Sequence, residues 1–140
     1  MRELIFQAQR LSDGAWVYGY YYADKSDHYI VNRDEQDRLN HISINPETLS
    51  RDTGRMDTKN NRVLEGDIIK AWQWTHDEDF GLVKDHSKYD IAVVKWDDEL
   101  LGWGVESKLE NTRTDMLAYL AEVEVIGNIF ENPELLEEKS

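Results

Sequence analysis

The chain has 140 residues and carries 16 Lys and Arg against 29 Asp and Glu, a net charge of −13. It has no cysteine, which excludes disulfides, thiolate nucleophiles, Fe–S clusters and cysteine-based zinc sites. No stretch approaches the roughly 18 uninterrupted apolar residues of a membrane helix, and Met1-Arg2-Glu3-Leu4-Ile5-Phe6 lacks the apolar run of a secretion signal. A cytoplasmic protein of one domain, or of one domain with a smaller satellite, is expected.

The charge is unevenly placed. Residues 1–64 hold 9 Lys and Arg against 10 Asp and Glu, whereas residues 65–140 hold 7 against 19. Nucleic-acid affinity comes from Lys and Arg displacing counterions, so direct DNA or RNA binding is not expected. Anionic membrane is disfavoured for the same reason. Solubility is the plain use of such a surface.

Strands dominate the pattern. Residues 3–8 alternate and close at Leu11-Ser12-Asp13-Gly14, and the aromatic run from Ala15 to Tyr22 completes a β-hairpin. Short strands are expected over 28–31 and 41–44. Asn45-Pro46-Glu47-Thr48 has the chemistry of one capped helical turn. The polar residues 50–63 read as a surface connection and a boundary between the two halves. Beyond it, strands over 67–74, 80–83, 89–96 and 100–105, with glycines at tight bends, predict a small barrel. Met116, Leu117 and Leu120 predict a helix over 111–121. Residues 122–129 alternate as a closing strand, and Asn132-Pro133-Glu134 should start a short terminal helix. The fold class is therefore mainly β with minor α. It comprises an N-terminal β-rich region (1–63), a barrel with one inserted helix (64–130) and a helical tail (131–140).

Three stretches resemble the YopX family of small bacteriophage and prophage proteins. They are residues 1–8; Thr53-Gly54 with Asp57-Thr58-Lys59-Asn60-Asn61 and Leu64-Glu65-Gly66-Asp67-Ile68-Ile69; and Val123 to Leu136. The last of these follows the family's C-terminal signature. The resemblance implies an SH3-like barrel for 64–130, a phage origin and hence a bacterial host cytoplasm. It transfers no activity to particular residues. The family usually places an aromatic residue where Gln9 stands, an apolar one where Arg55 stands, and Asn-Gly where this chain has Asn60-Asn61.

Each candidate site has a structural reading beside the functional one. Thr53, Gly54, Glu65, Gly66, Asp67, Gly127, Asn132 and Pro133 read as structural. Gly66 supplies a turn conformation, and Asp67 can accept from turn amides. Glu65 and Asp67 as paired catalytic or metal-binding carboxylates is the rival reading. His76, Asp77, Glu78 and Asp79 with Asp85 and His86 form the one grouping of metal-type ligands. They fit neither H-E-x-x-H nor an EF-hand, and they are equally ordinary loop residues. Trp72, Trp74, Trp96 and Trp103 read as core and rim, or as an aromatic groove for a peptide. No P-loop, dinucleotide fingerprint or nucleophile elbow is present, and no cofactor is expected.

The leading expectation is a non-catalytic phage accessory protein, a self-associating module that engages a protein partner. One alternative is an acidic nucleic-acid mimic that occupies a basic, DNA-binding host protein. Another is a metal-dependent hydrolase centred on His76 to His86.

Overall fold

A computed structural model describes residues 5–99, 101–107 and 114–136. The described chain is mainly β. It divides into two compact units, one through Asp52 and one from Thr53.

In the first unit β1 (Phe6–Gln9), β2 (Trp16–Asp24), β3 (Asp27–Arg33) and β4 (Leu39–Ser43) form an antiparallel meander, with the start of β5 (Ser50–Met56) beside β1. Side chains alternate across each strand, so one face collects Ala8, Ile30 and Ile44 as a buried core, with Phe6, Val17, Tyr21 and Leu49 packed on it. Pro46–Thr48 is a single 3-10 turn in which the Asn45 side chain accepts the Glu47 N–H at 3.1 Å. The Thr48 hydroxyl donates to the Asn45 carbonyl and accepts the Gln9 N–H, which ties this turn to β1.

The second unit builds one sheet from β7 (Asp67–Trp72), β10 (Asp90–Asp97), β11 (Gly102–Ser107), β12 (Thr114–Met116) and β13 (Glu122–Asn128), in the order β12-β11-β10-β7-β13. β6 (Arg62–Leu64) lies beside β5, and β8 (Trp74–Asp77) pairs with β9 (Gly81–Lys84) as a separate hairpin. Val63, Ile69, Ala71, Ala92, Val94, Val105, Leu117, Leu120 and Val123 form the buried core, with Trp103 and Val125 packed against it. Among the described residues no helix is long and apolar enough to cross a membrane.

Several expectations are corrected. The five-stranded sheet is open, with β12 and β13 at its two ends, rather than closed into a barrel. Residues 50–63 are a strand, a turn and a strand, not a surface connection, and Ser50, Thr53 and Asp57 are buried within them. The helix expected over 111–121 is, where described, the strand Thr114–Met116 followed by the 3-10 turn Leu117–Tyr119. Residues three apart eclipse in a 3-10 turn, so Leu117 and Leu120 both reach the core from one turn. The terminal helix is likewise one 3-10 turn, Pro133–Leu136. Residues 1–4, 100, 108–113 and 137–140, on which parts of these expectations fall, lie outside the described residues.

Candidate functional site

Several motif residues of the second unit, Asp57, Asp67, Gly127 and Asn132, meet on β13. Asp57 opens the turn between β5 and β6, and its carboxylate accepts the N–H groups of Lys59 (2.9 Å) and Asn61 (2.8 Å) from that turn. It also accepts the Val125 N–H of β13 at 3.0 Å and the Asn61 side-chain amide at 3.3 Å. Burial pushes this carboxyl upward, and the hydrogen bonds from Val125, Asn61 and Lys59 together outweigh it, holding Asp57 below the usual carboxylate range. The Thr58 N–H donates to the Val123 carbonyl, and Lys59 pairs with Glu124 at 3.1 Å. The turn thereby covers the free edge of β13.

Thr53 Oγ1 donates to the Val63 carbonyl at 2.7 Å and accepts the Arg55 N–H, with Gly54 between the two in β5. Arg55 reaches the 3-10 turn, where its guanidinium donates to the carbonyls of Leu117 and Leu120. Arg55 thus supplies donors to two carbonyls at this turn.

Gly66 adopts φ +87°, a region that strains residues bearing a Cβ. Its N–H donates to the Val94 carbonyl and its carbonyl accepts the Ile129 N–H at 2.9 Å. Asp67 is buried and accepts the Leu64 N–H at 2.8 Å, while Glu65 is half-buried in the same turn. At the far end of β13, after a register shift between Val125 and Gly127, Asn132 folds back onto the strand. Its side-chain oxygen accepts the Asn128 N–H, its own N–H donates to the Asn128 carbonyl, and Pro133 starts the last turn. A Cβ on Gly127 would stand 2.7 Å from the Asn132 side-chain oxygen, so only glycine fits. Carboxylates and amides at these positions are engaged with backbone groups.

The metal-type residues lie along the β8–β9 hairpin. Asp77 accepts the N–H groups of Asp79 and Phe80 at the hairpin tip, and Asp85 accepts from the Ser87 N–H and hydroxyl. The Ser87 bonds lower the Asp85 carboxyl. His76, Glu78, Asp79 and His86 are exposed. Among the described residues no three His, Asp or Glu side chains converge as a metal site.

The four tryptophans occupy different places. Trp96 and Trp103 stand opposite each other on β10 and β11, their rings edge to face at 5.5 Å, and Trp103 packs on the core. Trp72 follows buried Ala71 on β7 and therefore faces the other side of the sheet. There it meets Tyr89 at 5.5 Å and the Lys84 ammonium at 4.6 Å. Trp74 belongs to the separate hairpin.

The first unit carries an exposed aromatic surface on its N-terminal hairpin. Trp16, Tyr18, Tyr20 and Tyr22 recur at every second residue of β2, on the side away from the core. Tyr22 stacks on Tyr29 at 6.3 Å, and Tyr29 meets His41 edge-on at 6.4 Å. Tyr20 and Tyr22 are each 51% exposed and Leu39 is 55% exposed. The period-two spacing of the aromatic residues was the available signal.

Fold and site together define a small, mainly β protein whose described motif residues serve turns and strand edges and some of whose aromatic residues reach the surface. The YopX protein family model matches residues 6–137, and the chain belongs to that family. None of the curated proteins matches it significantly.

Proposed function

We propose that this protein is a non-catalytic, phage-encoded accessory module of the bacterial cytoplasm that self-associates through the outer face of its first unit. The observation that carries this reading is the exposed aromatic face of Tyr20, Tyr22, Tyr29, Leu39 and His41. Exposed apolar area of this kind is a recurrent mark of association surfaces. Charge favours a second copy as its occupant. Away from the β2–β3 turn, the strand positions on this face carry one carboxylate, Asp52, which accepts the Tyr18 hydroxyl, and one cation, Arg33, so the face is close to neutral in a chain of net charge −13. Two copies can approach there without the repulsion that the rest of the surface imposes.

The non-catalytic part is supported by the engagement of Asp57, Asp67 and Asn132 with backbone groups. The phage setting rests on the family. We take the second unit as an opened relative of the SH3-like barrel, five antiparallel strands over one core. Sedimentation velocity across a wide concentration range tests the reading. A sedimentation coefficient that rises with concentration supports it, and a monodisperse monomer at high concentration refutes it.

A further inference from the structure

The β8–β9 hairpin has features that the self-association reading leaves unused. Its base is closed by the Asp85 N–H donating to the Gln73 carbonyl at 2.8 Å. Lys84, at the same end, pairs with Glu122 of β13 and lies over the Trp72 ring. Its tip is fixed by Asp77, whose carboxylate accepts the N–H groups of Asp79 (2.8 Å) and Phe80 (3.1 Å). Between these two fixed ends the apolar residues face solvent. Phe80 is 80% exposed, Leu82 68% and Trp74 49%. The pairing of Trp74 with Lys84 and of His76 with Leu82 places Trp74 and Leu82 on one face as diagonal neighbours.

A two-stranded hairpin is marginal in water by itself, and an exposed aromatic residue on a turn whose backbone is held by Asp77 has the character of a binding anchor. The charges beside it have one sign. Asp77, Glu78 and Asp79 adjoin Phe80, and residues 74–83 contain no Lys or Arg. We infer that this hairpin is a docking arm for a second protein, whose surface presents an apolar pocket rimmed by Lys or Arg. Phe80 enters the pocket, Leu82 and Trp74 widen the contact, and the three carboxylates meet the rim. Carboxylates so placed repel an anionic lipid surface and the acidic surface of another copy, which leaves a basic protein as the complementary occupant.

The test uses the full chain and a short amphipathic peptide of leucine and lysine as probe, with its leucine–glutamate counterpart as control. Binding is followed by calorimetry at two salt concentrations. The lysine peptide is expected to bind and the glutamate peptide not to. The F80S/L82S variant, which keeps every charge, is expected to lose about tenfold or more in affinity, as removal of an interface anchor does. D77 is left intact because it shapes the turn, and E78Q/D79N is expected to weaken binding most at low salt. Equal affinity of the wild type and F80S/L82S would reduce the binding to bulk charge attraction and overturn the inference. So would loss of self-association in F80S/L82S, which would assign the hairpin to a second copy. A Y20E/Y22E variant is expected to bind the peptide unchanged, so the arm and the aromatic face stand or fall separately.

Discussion

The carboxylate of Asp57 accepts the backbone N–H of Val125 at 3.0 Å, joining residues 68 positions apart. It holds the β5–β6 turn against β13, and the turn's own amides from Lys59 and Asn61 share the same carboxylate. Replacing Asp57 by Ala leaves three backbone donors without their acceptor. A loss of about 3 kcal/mol is expected, because a buried donor stripped of a charged partner costs on the order of 1–3 kcal/mol. Urea denaturation of the wild type and D57A measures it, and D57N should fall between the two.

The same group makes stability pH-dependent. The folded-state pKa of Asp57 lies below its ordinary value, which is about 3.9 in an unfolded chain. The stabilisation is therefore fully present above about pH 4 and is lost as pH falls through the folded-state pKa. Urea midpoints of wild type and D57N, compared from neutral to acid pH, should differ by a constant amount down to about pH 4 and converge below it. A gap that widened towards acid would reverse the sign of the argument.

Gly127 and Asn132 form a pair that can be tested by rescue. The G127A Cβ would stand 2.7 Å from the Asn132 side-chain oxygen and 2.9 Å from its Cβ and Cγ. Relief requires displacement of the turn before Pro133, with an expected loss of about 1–3 kcal/mol, the usual range for overpacking. The N132G substitution removes the obstructing atoms at the cost of its hydrogen bond to Asn128. G127A/N132G should thus be less destabilised than the sum of the single variants, which a double-mutant cycle of thermal melts would reveal.

Arg55 supports the turn that stands in place of the expected helix. R55L keeps the apolar stem of the side chain but removes the donors to the Leu117 and Leu120 carbonyls. A loss of about 1–3 kcal/mol is expected. Amide exchange should quicken first at Leu120, whose N–H bonds to the Leu117 carbonyl at 3.3 Å. Uniform acceleration across the second unit, with no local excess at Leu120, would contradict this assignment.

What the sequence revealed follows from physics that acts over short range. Gly66 and Asp67, and Asn45 with Pro46, carry their turn chemistry in adjacent residues, so these turns were legible. The spacing of Leu117 and Leu120 suggested a helix over 111–121, but one 3-10 turn brings residues three apart to the same side just as a longer helix does. Residues 50–63 looked like a surface loop because Ser50, Thr53 and Asp57 are polar. Their burial depends on partners at Val63 and Val125 that local patterning cannot supply. The four tryptophans share a region of sequence, yet strand alternation and the break at Gln73 send them to different surfaces. The face of Tyr20 and Tyr22 was encoded in a plain period of two, but which side of β2 is covered depends on Ile30 and Ile44, which later parts of the chain supply.

The central claim is that this face brings two copies of the chain together. Sedimentation equilibrium of the wild type and of Y20E/Y22E tests it most directly, with thermal melts to verify that both are folded. Each substitution lies at a half-exposed position, and the account predicts an oligomeric wild type and a folded monomeric variant, since two carboxylates would then face their own copies across the contact. An unchanged association constant in a folded Y20E/Y22E protein would contradict it.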